Sequence, residues 1–132
     1  YYIKNERFIT VTYAYIQNNV TMYADLIKVK IALDNGEVIG IDTTGYLNNH
    51  HIREISSELI TSQKARSKIT DKTEITSEKL AMIPTEFNTE ILCYEFKGKI
   101  NECEFIAYIN AKTGEEEDIL IVINTENGVL TE

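Results

Sequence analysis

From Phe8 to Gln17 the chain alternates, with Ile9, Val11, Tyr13 and Tyr15 on one side and Thr10, Thr12 and Ala14 on the other. A period of two, filled with β-branched and aromatic residues, predicts a half-buried strand. Asn18-Asn19 punctuates it. A second alternation covers residues 23–33 and predicts Ile27, Val29, Ile31 and Leu33 inward, Lys28 and Lys30 outward. Asp34-Asn35-Gly36 predicts a tight turn, because Asn and Gly tolerate positive φ. Residues 37–43 return as a third strand, which makes an antiparallel meander.

Residues 45–58 are less regular. Asn48-Asn49-His50-His51 reads as loop, and residues 52–55 as a helical turn. Thr61 or Ser62 is placed to cap a short helix over residues 63–69. Ala65 and Ile69 are four apart, so they share the face that packs on a sheet. Thr70-Asp71-Lys72-Thr73 ends the helix. A second strand series follows: residues 79–83, closed by Pro84, the single proline; residues 90–97, with Leu92, Tyr94 and Phe96 on one face; residues 104–111, alternating Phe105, Ala107 and Ile109; and residues 117–124. Lys97-Gly98-Lys99 and Lys112-Thr113-Gly114 supply the turns. Residues 126–130 read as a further short turn.

The two series overlay. Ile27, Val29, Ile31 and Leu33 match Phe105, Ala107, Ile109 and Ala111, and Asn35-Gly36-Glu37 matches Thr113-Gly114-Glu115. Tyr13-Ala14-Tyr15 is matched to Tyr94-Glu95-Phe96. The expected class is α+β, with two tandem units, each a small antiparallel sheet carrying one packed helix. Residues 1–58 form a partial first unit without its helix, plus a connecting loop; residues 59–132 form a complete second unit. Units this small gain stability by packing on one another.

The chain has 132 residues, 43% hydrophobic and 26% charged, which is ordinary globular material. No apolar run approaches the ~20 residues of a membrane helix, and no signal peptide is present. The start at Tyr1-Tyr2-Ile3 suggests a fragment of something longer. A net charge of −8, from 21 acids and 13 bases, argues against nucleic acid and against direct adsorption to an anionic membrane. Glu115-Glu116-Glu117-Asp118 reads as a solvated turn, with a cation site or a basic partner as alternatives. If the hairpin of residues 91–109 turns around residues 98–101, Phe96 faces Cys103 and Cys93 lies roughly 10 Å off, too far for a disulfide.

Candidate chemistry is thin. His50 and His51 are adjacent, so in extended structure they point apart, and they read as surface loop residues rather than metal ligands. Ser56, Ser57, Ser62, Ser67 and Ser77 lack a nucleophile context. Cys93 has no thiol-protease motif around it. Glu102 and Glu104 read as an exposed strand face, not a glycosidase pair. There is no phosphate loop and no dinucleotide fingerprint. No catalytic, cofactor-binding or metal-binding residue is assigned. What remains is surface. The eight tyrosines, against four phenylalanines and no tryptophan, suit interfaces; Tyr1, Tyr2, Tyr13, Tyr15, Tyr23 and Tyr46 are candidates for a partner face or for the edge of the core. An exposed sheet edge would also serve for strand addition.

The string Tyr108-Ile109-Asn110-Ala111-Lys112-Thr113-Gly114-Glu115 resembles the PepSY domain. The stretch from Tyr23 to Glu37, Gly45-Tyr46-Leu47-x-Asn49-His50, Leu80-Ala81-Met82-Ile83-Pro84-Thr85 and Leu92-Cys93-Tyr94-Glu95-Phe96-Lys97-Gly98-Lys99 resemble the C-terminal region of the YpeB family of spore-germination proteins. The resemblance implies a non-enzymatic module, without cofactors, that stabilises, localises or restrains a cortex-lytic peptidoglycan hydrolase of the SleB type. It also implies a full-length protein anchored at the spore inner membrane, facing the cortex. Because PepSY domains occur in inhibitory propeptides, inhibition of an extracytoplasmic protease is the alternative.

Overall fold

The computed structural model describes the backbone of residues 2–4, 7–70, 72–125 and 128–131, and the side chains of residues 7–70 and 72–119. Among the described residues, nine strands and two short helices follow one another: β1 (Tyr2–Lys4), β2 (Phe8–Gln17), β3 (Val20–Ala32), β4 (Val38–Asp42), α1 (Thr44–Asn49), α2 (Ser62–Arg66), β5 (Glu74–Pro84), β6 (Glu90–Ile100), β7 (Cys103–Asn110), β8 (Glu116–Thr125) and β9 (Gly128–Thr131). The molecule is therefore mostly sheet with few helices. Both strand series enter one sheet, in the order β2-β1-β9-β8-β7-β6-β5-β3-β4, and β2 also pairs with β3. The pairings thus close into a ring from which β4 branches. The series meet where Val20–Met22 run parallel to Leu80–Met82; the other described pairings are antiparallel.

The hairpins β3–β4 and β7–β8 repeat one geometry. Gly36 and Gly114 stand at φ +73° and +79°, a region that favours glycine. Each donates its N–H 2.9 Å to a carbonyl four residues back, Ala32 and Asn110 respectively. The ladders slip at matching places, between Lys30 and Ile31 and between Tyr108 and Ile109. The neighbouring strands match differently from the sequence overlay. Ile9 lies opposite Ile31 as Tyr94 lies opposite Ile109, so Ile9, not Tyr13, corresponds to Tyr94. The cause is that the β2–β3 hairpin reaches further from its ends to its tip than β6–β7 does.

Several boundaries move for local reasons. Asn18 and Asn19, at φ 49° and 64°, turn the first hairpin, and Asn101 and Glu102, at 48° and 69°, turn the β6–β7 hairpin. Ile100 therefore faces Cys103, and Phe96 faces Ala107. Gly98 is not a turn residue but buried mid-strand: a Cβ there would sit 2.2 Å from the Glu74 carbonyl oxygen. Helical structure after β4 falls on Thr44–Asn49, while residues 52–55 have no regular structure. Residues 128–131 form a strand instead of a turn; Glu126 and Asn127 lie outside the described residues.

Two apolar clusters hold the centre. Val20, Met22, Met82, Leu92 and Ala111 form one, with Tyr15, Ile55 and Leu59 against it. Ala65, Phe96 and Ile109 form the other, flanked by Ile60, Ile69 and Ile75. The cap on α2 is Thr61, whose hydroxyl oxygen accepts the Lys64 N–H at 3.1 Å. The paired face of Ile9, Val11, Ile27, Val29 and Ile31 is only half-buried, and Leu33 is exposed; the buried positions of β3 are Val20–Met22 and Asp25, towards its other end.

Candidate functional site

Along β2 and β3 the register jumps between Ala14 and Tyr15, whose partners are Leu26 and Met22. The intervening bulge turns Asp25 into the protein, where it is fully buried. A bulge re-aims a side chain in this way. Arg53, from the irregular segment after α1, forks onto Asp25 with N–O distances of 2.6 and 2.7 Å. The same guanidinium donates to both oxygens of Glu90 at the start of β6, at 3.0 and 3.2 Å. Gln17 fixes the Arg53 backbone from both sides, donating to its carbonyl at 2.7 Å and accepting from its N–H at 3.1 Å. Arg53 thus ties together β3, β6 and the end of β2.

His50 completes the cluster. Its Nδ1 lies 2.9 Å from Asp25 Oδ2, its ring stacks on Tyr46 at 4.4 Å, and Tyr15 meets it edge-on at 4.6 Å. Tyr46 and His50 are one helical turn apart, so α1 delivers them to the same face. Burial opposes ionisation of Asp25, but hydrogen bonds from Arg53 and His50 outweigh it and hold the carboxyl below the ordinary range. The Asp25 bonds, then those to Glu90, hold Arg53 firmly protonated. Each charge has a partner, so the cluster is held together as one frame.

Large apolar side chains stand around this rigid frame. Leu47 is 73% exposed, Ile52 72% and Phe87 83%. Each lies within three positions of a group bonded to Arg53: Asn49, Arg53 itself and Glu90. Exposed Glu54 and Glu86 flank them.

A second polar cluster lies on β6. Glu95 is 1% exposed and accepts the hydroxyls of Tyr23 at 2.6 Å and Tyr108 at 2.8 Å. Lys79 and Lys97 stand 3.6 and 3.8 Å from its other oxygen. Burial, then the Glu95 carboxylate, pushes both tyrosine hydroxyls far up. Neither tyrosine can serve as a base near neutral pH.

The residues singled out in the sequence scatter. His50 is not a surface loop residue but caps α1 and binds Asp25; His51 is exposed and points to the Asn49 carbonyl. Cys93 is buried and Cys103 exposed, both free. Ser67 is spent on the Lys64 carbonyl. Glu102 sits in the β6–β7 turn and Glu104 opposite Lys99. Tyr13 is exposed, and Tyr15, Tyr23 and Tyr46 are half-buried. Tyr1 lies outside the described residues, as does the Tyr2 side chain. Among the described residues, no group of three metal-ligating side chains converges. Asp25, Arg53, Glu90 and Glu95 were not legible as a set. The available signal was Arg53, the sole Lys or Arg between Lys30 and Lys64, beside an acid interrupting the apolar pattern of β3.

A family model described as YpeB sporulation, PepSY1 and PepSY2 domains matches residues 1–56. Sporulation protein YpeB of Halalkalibacterium halodurans is 40% identical over 107 residues, 81% of this chain and 24% of that protein. Sporulation protein YpeB of Bacillus subtilis is 39% identical over 115 residues, 87% of this chain and 26% of that protein. The Bacillus megaterium YpeB C-terminal domain superposes with a TM-score of 0.84 at 31% identity, over 93% of this chain and 55% of that structure. The chain thus spans about a quarter of the length of the curated relatives it matches.

Proposed function

The chain belongs to the YpeB family of sporulation proteins, and from this we propose that it is a non-enzymatic binding module of a germination protein. Its partner in this reading is a cortex-lytic peptidoglycan hydrolase of the SleB type, which it stabilises, localises or restrains. The whole protein would then act in the spore, on the cortex-facing side of the inner membrane. No helix of the described residues is long and apolar enough to cross a membrane.

Residues 1–58 would complete one PepSY-like unit and residues 59–132 form another. The matching hairpins support this. So does the contrast between the half-buried face of Val11, Val29 and Ile31 and the equivalent face of Phe96 and Ile109, on which α2 sets Ala65. A helix like α2, supplied from elsewhere in a longer protein, would cover the first face.

The observation that carries the functional reading is the exposure of Leu47, Ile52 and Phe87 on a frame locked by Arg53. Large apolar residues on a rigid base lose little entropy on docking. The test is capture of the purified hydrolase by the immobilised chain. The wild type should retain it. A variant carrying Leu47→Ser, Ile52→Ser and Phe87→Ser should lose it while keeping its thermal midpoint. Retention of a thermolysin-like protease in place of the hydrolase would move the reading to protease inhibition. Release of peptidoglycan fragments by the chain alone would overturn a non-enzymatic role.

A further inference from the structure

β4 is a sheet edge with unusual composition. It pairs with β3 along one side, and it ends the strand order. Val38, Ile39 and Ile41 are 58, 57 and 65% exposed. Natural edges are usually blunted by lysine, proline or a covering segment. Residues 38–41 contain no lysine, no proline and no charge at all. The apolar character continues inward along the register, from Ile41 to Val29 to Val11 and from Val38 to Ile31 to Ile9. An incoming strand would find both main-chain partners and a prepared apolar sheet face.

Charge decides what that strand can be. Glu37 precedes the apolar run and Asp42 closes it, both exposed. Hydrogen bonds from Thr44 hold Asp42 below the ordinary carboxylate range. Lys28 lies directly opposite Asp42 on β3 and lowers it further, and Lys30 lies opposite Gly40 with its ammonium over the Phe8 ring at 5.0 Å; β4 itself carries no cation. The open edge is therefore bracketed by acids. In the antiparallel pair of two β4 strands that sets Val38 opposite Ile41 of the copy, and so pairs the apolar run with itself, Glu37 would face Asp42 of the copy at both ends. Like charges so placed are destabilising. The edge repels its own copy.

We propose that β4 is a strand-addition site for an extended segment of a partner protein, with β-branched residues at its centre and Lys or Arg at its ends. The proposal rests on the binding-module reading and adds to it a second contact surface and the chemistry of its occupant. Main-chain hydrogen bonds would provide the affinity, and the flanking cations the selectivity.

The test uses the intact chain and a short synthetic peptide of alternating valine and threonine with lysine at each end. The lysine-ended peptide should bind and protect amides of residues 38–42 from hydrogen exchange. A glutamate-ended version should bind about tenfold more weakly or worse. Ile39→Lys and Ile41→Lys, at exposed positions that leave the fold intact, should each abolish binding; Leu47→Lys, on another surface, should not. Equal binding of both peptides, no binding of either, or a dimer in sedimentation that Ile39→Lys dissolves would overturn the proposal. Hydrolase capture separates the two readings. Equal retention by wild type and Ile39→Lys removes the β4 site and leaves the binding module standing. Peptide binding without hydrolase capture removes the hydrolase as partner and leaves the edge site standing.

Discussion

Asp25 and Arg53 meet through two short N–H···O bonds although 28 positions separate them. The pair is dry on both sides, with side-chain exposures of 0 and 5%. Removing one member strands the other as a buried charge, which costs about 3–5 kcal/mol, whereas replacing both with apolar groups costs far less. Asp25→Leu and Arg53→Met should each lower the urea midpoint steeply. The double variant Asp25→Leu with Arg53→Met should recover much of the loss, because Glu90 is partly solvated. Additive losses in this cycle would show that the pair is not coupled.

The same carboxylate makes an acid-side prediction. Asp25 titrates lower in the folded chain than in the unfolded one. Its contribution is therefore complete above the ordinary carboxylate pKa of about 3.9. It is lost as pH falls through the folded value. Stability measured at fixed urea should decline below pH 4, and Asp25→Asn should decline less steeply. A variant profile parallel to the wild type would mean that other carboxylates drive acid unfolding.

Local rules carried the sequence a long way here, and their failures share a cause. Alternation found the main strands, and Thr61 was legible as a cap because capping depends on residues three apart. The turn at Gly98 was misplaced because the glycine answers to Glu74 on the neighbouring strand, not to its own sequence. Asp25 and Arg53 were invisible as a pair for the same reason: a bulge with no sequence signature aims Asp25 inward. The parallel contact between β3 and β5, which joins the two series, is likewise a long-range pairing that periodicity cannot register.

The two thiols should separate chemically. Cys93 is buried on β6, and burial, then the charge of Glu117, pushes its thiol up to about 12. A thiol-reactive disulfide should label exposed Cys103 in the native chain and reach Cys93 only on unfolding. The raised value also has a sign. The contribution of Cys93 is complete below the ordinary thiol pKa of about 8.5 and is lost as pH rises through about 12. Alkaline destabilisation should be less steep in Cys93→Ala. Native labelling of both thiols at equal rates would contradict this packing.

Two strand glycines should respond oppositely to one added methyl group. At Gly98 a Cβ would stand 2.2 Å from the Glu74 carbonyl oxygen and 2.9 Å from the Phe105 ring. Backbone cannot swing aside as a flexible side chain can, so β5 must separate from β6 to admit it. Overpacking of this kind costs about 1–3 kcal/mol or more. At Gly40 the nearest atom is the Lys30 side chain, at 3.7 Å, an ordinary contact. There Gly→Ala removes unfolded-chain entropy without strain and should stabilise by up to about 1 kcal/mol. Guanidinium melts of Gly98→Ala and Gly40→Ala should shift in opposite directions at constant slope. A Gly98→Ala midpoint equal to the wild type would mean that β5 and β6 do not approach this closely in solution.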